Sequence, residues 1–251
     1  MINILSNPFL QTKQLKSIGT RNTKTTSSVS LTTAILSLFT LTVVSYISFW
    51  ILCNELISSN DLALSDIKNF TLVSGIISLV ITFLSYYKSE FSSFLAPLYA
   101  VFSGVFISGL SFVAQEKFPG IAMLTVEITL ATFIVVYLGY KLGIIKVSQK
   151  FKAIVYTMIG VISLIYLLSF VLMFFEIKIP LIHDTGIGGV IWSLFIMITA
   201  SFHLAIDIDK IEKYSSSDGD KNWSLALGLM VSLIWLYIST LKVVSRISSL
   251  K

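Results

Sequence analysis

The chain has 251 residues, of which 55% are hydrophobic and only 12% charged, and its mean hydropathy is +0.88. Soluble domains carry about twice that charged fraction, so a soluble enzyme or binding module is excluded. The net charge of +5 invites a nucleic-acid reading, but the Lys and Arg residues sit between apolar runs, where the positive-inside rule accounts for them. No nucleic-acid partner is expected.

Residues 1–30 are polar, rich in Ser and Thr, and basic through Lys13, Lys16, Arg21 and Lys24, with no acid before Glu55. A segment with so little to bury stays disordered, and a disordered cytoplasmic tail is expected ahead of a membrane domain over residues 31–251. The polar stretch is too long for a cleaved signal peptide and the run after it is long enough to span. A mitochondrial transit peptide shares the basic, acid-free composition and is the second reading of the tail. Apolar runs of about 20 residues cross a bilayer as helices because its hydrocarbon core is roughly 30 Å thick. Seven such runs follow, over residues 31–52, 71–87, 94–114, 120–140, 153–175, 186–206 and 223–245. The second is short. The third and fourth are separated only by residues 115–119, which predicts a tight helical hairpin. In the third run Gly104, Ser108 and Gly109 suit close helix packing. Pro180, Gly186, Gly188 and Gly189 punctuate the approach to the sixth. Trp192, Trp223 and Trp235 fall toward span ends, as interfacial aromatic belts do.

Twelve of the 18 Lys and Arg residues fall on one side of this layout: the tail, Lys88, the loop around Lys141–Lys152, and the segment from Lys210 to Lys221. That bias places the N-terminus in the cytoplasm and, with an odd number of spans, the C-terminus outside. The basic end Lys242, Arg246 and Lys251 keeps a re-entrant seventh segment as the alternative.

The chain lacks a phosphate-cradling Gly-Lys-Ser/Thr loop, a His-Glu-x-x-His pair and a Gly-x-Ser-x-Gly elbow. Cys53 is the only cysteine and His183 and His203 the only histidines, so an internal disulfide and a cysteine metal cluster are ruled out. Neither an enzyme nor a resident cofactor is expected. The chemistry lies in ionisable groups placed inside apolar runs, where they are costly. Glu127 stands mid-way along the fourth run. It is either an ion- or proton-binding group facing the bundle interior or a protonated glutamate bonded to a neighbouring helix. The sixth run passes straight into His203, Asp207, Asp209 and Glu212. His203 and Asp207 are four apart and share a helix face, while Asp209 points elsewhere, toward Glu212 and Lys213. One reading of this end is a pH-dependent gate built from a carboxylate beside an imidazole. The other is a helix end at headgroup depth, with Asp207–Lys210 and Asp209–Lys213 as surface pairs of little weight.

Several segments taken in order carry a family resemblance. They are Ala96-Pro-Leu-Tyr-Ala-Val-Phe-Ser-Gly-Val-Phe-Ile-Ser-Gly-Leu-Ser111, Pro119-Gly120, Tyr140-Lys-Leu-Gly-Ile-Ile-Lys-Val-Ser-Gln-Lys-Phe151, Leu204-Ala-Ile-Asp-Ile-Asp-Lys-Ile-Glu212, Trp223-Ser-Leu-Ala-Leu-Gly-Leu229 and Ile234-Trp-Leu-Tyr237. Through them, from Pro97 to Val244 and with Asn7-Pro8 of the tail, the chain resembles the Bax inhibitor-1/YccA family, in a bacterial subgroup of the transmembrane Bax inhibitor motif proteins. The resemblance implies an all-α membrane protein, a seven-transmembrane-helix bundle with the last helix central, multi-pass in the inner cell membrane. Some members are pH-sensitive calcium leak channels closed by two aspartates, one late in the sixth helix and one in the seventh, which share a proton. Asp207 matches the first of these, and Lys88 falls near an arginine that engages the network in some members. The position of the second reads Ile234, and the glutamate some relatives carry instead reads Ser239. Either Asp207 pairs with another group, with Glu127, His203, Lys88 and Asp209 as candidates, or the protein does not gate in this way. The function implied is a cation leak with Ca2+ or protons passing, with Asp207 as the cytoplasmic gate carboxylate and Glu127 and Asp209 as candidate ligands. Bacterial relatives that modulate a membrane-anchored ATP-dependent protease through the tail supply the alternative.

Overall fold

In a computed structural model the chain is described for residues 29–59, 64–176, 179, 182, 186–214 and 219–250. The expected tail up to residue 28, with its Asn7-Pro8, and Pro180 and His183 lie outside the described residues. Seven long helices follow one another: α1 (Leu31–Ser58), α2 (Leu64–Tyr87), α3 (Ser92–Lys117), α4 (Ile121–Lys141), α5 (Gln149–Met173), α6 (Ile187–Tyr214) and α7 (Gly219–Ser249). Each contains a stretch long and apolar enough to cross a membrane, and no strand occurs among the described residues. Every expected span is a helix, but several helices outrun their apolar stretch. Backbone hydrogen bonding continues past the point where side chains turn polar: α2 begins at Leu64 and α6 runs on to Tyr214. The acids after Ile206 therefore ride on a rigid helix.

Local chemistry sets the ends. Ser30 and Ser148 cap α1 and α5 by accepting the Thr33 and Phe151 amides, the donors a helix start leaves unpaired. Between α3 and α4 the chain reverses at Gly120, whose φ of +89° favours glycine. The Gln115 side-chain carbonyl accepts from the Gly120 and Ala122 amides across that turn. This is the expected tight hairpin.

Helix α7 packs against α1, α3, α4 and α6, so the last helix is central; α2 lies on α3, and α5 lies on α6. The main core joins Ala34 and Leu38 of α1, Ala96, Tyr99 and Ile107 of α3, and Ala226, Met230, Ile234 and Tyr237 of α7. Close approach depends on the small residues of α3. A Cβ on Gly104 would lie 2.6 Å from the Thr42 carbonyl oxygen, and one on Gly109 would lie 1.9 Å from Thr71 Oγ1. Hydroxyls then stitch the helices together: Ser45 donates to the Val101 carbonyl at 2.7 Å and Ser108 to that of Tyr46 at 2.9 Å. Such contacts replace the hydrophobic driving force that lipid removes. Two tryptophans depart from the expected belt. Trp192 is buried against Ile162 and Ile196, and Trp235 lies near the middle of α7, partly buried in the same group.

Candidate functional site

Helices α6 and α7 pack along one another in opposite directions. Asp207 faces Ser232, His203 faces Trp235, and Arg246 reaches back to the carbonyls of Gly189 and Ile182. The end of α4, the start of α5 and the end of α6 meet at one end of the bundle. We call it the basic end, because Lys141, Lys146, Lys152, Lys210 and Lys213 gather there.

Asp207 is 4% exposed. One carboxylate oxygen accepts from Lys210 Nζ at 2.8 Å, and the other accepts a short hydrogen bond from the Ser232 hydroxyl. His203 Nδ1 lies 2.7 Å from the same Ser232 oxygen and 3.3 Å from Asp207. A serine has one hydroxyl proton, so while Ser232 donates to Asp207 it accepts from His203, whose Nδ1 then carries hydrogen. The imidazole is held on both sides by rings, Tyr156 of α5 and Trp235 of α7.

Asp209 is 3% exposed and belongs to a second cluster. Lys213 pairs with it at 2.7 Å, Tyr140 of α4 donates to it at 3.2 Å, and Lys152 of α5 stands 3.0 Å from its other oxygen. That last contact is an ion pair without hydrogen-bond alignment. Glu212 pairs with Lys141 at 3.0 Å on the exposed rim. Asp209 and Glu212 tie α4, α5 and α6 together, whereas Asp207 ties α6 to α7, and Lys141 and Lys152 act as ties as well as loop charges. A hollow of about 450 Å³ opens beside Asp209 and Glu212, lined also by Tyr140, Lys146 and Ser148.

Three expectations are corrected. Asp207–Lys210 and Asp209–Lys213 are ion pairs, but not surface ones, because both carboxylates are buried and the lysine heads reach them from outside. Glu127 does not face the bundle interior. It is exposed and has no hydrogen-bond or ion-pair partner among the described residues. The buried side of α4 runs through Ile121, Ala122, Thr125, Thr129 and Val136, and at about 100° per residue Glu127 falls on the opposite side. It also stands thirteen residues, or about 20 Å, from Tyr140 beside Asp209, so it cannot pair with Asp207. Lys88, at the close of α2, is exposed and forms no ion pair with Asp207 among the described residues. Asp209 likewise keeps to its own lysines. Of the candidate partners the structure brings only His203 to Asp207. Among the described residues no three His, Cys, Asp or Glu side chains gather to hold a metal ion.

The α7 partner that spacing alone missed is Ser232. Ile234 is buried in the main core, and Ser239 turns its hydroxyl back to the Trp235 carbonyl at 2.8 Å. A signal was present: Ser232 is the only hydroxyl residue between Ser224 and Tyr237, in the part of α7 that antiparallel packing sets against the end of α6. Tyr140 and Lys152 were missed in the same way.

Fold and site together define a multi-pass helical membrane protein whose sixth and seventh helices are joined through a buried carboxylate. Residues 7–249 match the family model described as Bax inhibitor 1 like, and the chain belongs to that family. The match takes in α1 and α2 as well as the stretch from Pro97 to Val244. No curated protein and no solved structure gives a match.

Proposed function

We propose that this protein is a pH-responsive cation leak of the inner membrane, inserted with its N-terminus in the cytoplasm, in which Asp207 holds the cytoplasmic mouth closed. It works by passage, without enzyme chemistry or a resident cofactor. Calcium is the ion to test, since the groups at the mouth are carboxylate oxygens. The reading rests on one observation, the hydrogen bond from Ser232 of α7 to Asp207 of α6, flanked by Lys210 and His203.

The sign of the pH response follows from the groups around Asp207. With a second carboxylate on α7, deprotonation would set two like charges against each other and protonation would join them. Here the α7 partner is a neutral hydroxyl that donates. Ser232 and Lys210 donate to the Asp207 carboxylate, His203 bonds to the same Ser232 hydroxyl, and α5 sets the Tyr156 ring beside His203. Protonating the carboxylate in acid would take away the charge to which Ser232 and Lys210 donate. The α6–α7 link therefore weakens as pH falls.

Calcium uptake into reconstituted vesicles tests this. Flux should be low at neutral pH and rise in acid. Asp207→Asn should raise neutral flux and flatten the profile. Ser232→Asp should reverse it, open when both carboxylates ionise and closed when they share a proton. Flux absent at both pH values, or unchanged in Asp207→Asn, overturns the proposal. If deleting residues 1–28 then altered turnover of other membrane proteins, the protease-modulator reading would take its place.

A further inference from the structure

Lys141, Lys152, Lys210 and Lys213 each meet a carboxylate at 2.7–3.0 Å. Lys242 is different. It lies near the end of the apolar run of α7, three residues or about 5 Å inside residue 245, and no carboxylate pairs with it among the described residues. Its head rests instead on Tyr166 of α5, with Nζ 5.0 Å from the ring centre and 3.3 Å from the hydroxyl. The Tyr166 contact leaves the ammonium without a matching negative charge, near the edge of the span where such a charge counts.

Directly beneath it is a cavity of about 380 Å³ between α5, α6 and α7. It exists because α5 packs on α6 and stands off from α7. The cavity is chemically graded. Lys242 and Tyr166 form its outer end, Ile162, Ile196 and Ile238 form its walls, and Trp235 closes its inner end. From Lys242 to Trp235 is seven residues of helix, about 10 Å. A free metal cation is repelled by the ammonium. A neutral hydrocarbon fills the walls and leaves the charge unmatched. One chemistry satisfies both ends, an acyl chain carrying an anionic head.

We propose that this cavity binds such a chain, with its carboxylate or phosphate head on Lys242 and Tyr166 and its methylenes against the isoleucines down to Trp235. The free fatty acid and the anionic phospholipid share this chemistry. The site stands whether or not the protein conducts ions. It also touches the candidate gate, because the Trp235 ring lies 5.8 Å from that of His203.

The test uses the full chain in phosphatidylcholine nanodiscs, with tryptophan emission followed as dibromostearate is added. Saturable quenching is expected with the acid and not with its methyl ester, and the saturable part should vanish in Trp235→Phe. Lys242→Gln should weaken apparent affinity about fivefold, the weight of one basic residue near the membrane surface, and Lys242→Arg should restore it. Ser239 also lines the cavity, and Ser239→Phe, which fills it, should abolish the saturable quenching. Brominated-chain phosphatidylglycerol quenching where the acid does not would assign the site to a lipid headgroup and uphold the shared chemistry. Equal quenching by acid and ester, or an unchanged curve in Lys242→Gln, overturns the proposal.

Discussion

Asp207 and Glu127 are both carboxylates within membrane-spanning helices, yet their surroundings are opposite. Asp207 is enclosed by a lysine, a serine and a histidine; Glu127 looks outward among Met123, Leu124 and Leu130, all exposed. Removing a donor from a buried carboxylate leaves part of its charge uncompensated, whereas neutralising an outward-facing glutamate takes away no contact. Ser232→Ala should therefore cost about 2 kcal/mol in unfolding measured in detergent, and Glu127→Gln should change it little. A loss at Glu127 as large as at Ser232 would refute this placement. Residue spacing made His203–Asp207 and Asp209–Lys213 legible, because contacts three or four apart on a helix need no knowledge of the fold. It could not show Ser232, Tyr140 or Lys152, which arrive from other helices.

At the scale of elements, α3 is gripped from both sides through glycines. Gly109→Leu drives a side chain into Thr71 of α2 and should destabilise by about 1–3 kcal/mol or more, read as a lower melting temperature in detergent. Gly228→Ala in α7 meets nothing within 4 Å and serves as the control, with stability unchanged or slightly raised. The glycine pattern was legible as a packing surface. Which helix it receives was not, since a small residue advertises room and says nothing of the occupant.

For the whole molecule, the charge bias gives an orientation that can be measured. Single cysteines at Ile145 and Ser248, in a chain whose own Cys53 is buried, should react oppositely with an impermeant maleimide on intact cells. Position 248 should label and position 145 should not. The reverse pattern would turn the proposed gate to the other side of the membrane. The seven spans were legible in the sequence because crossing hydrocarbon demands long apolar runs whatever their neighbours. Directions within the bilayer were not. Lipid is as apolar as a helix interface, so an inward and an outward face of α4 look alike in composition, and Glu127 could be assigned to either. The sequence alone thus determined the membrane class, the helix count and a carboxylate at the end of the sixth helix. Only the packing of α7 through the bundle decided that this carboxylate meets a serine, because pairing between helices depends on register and rotation that no single helix encodes.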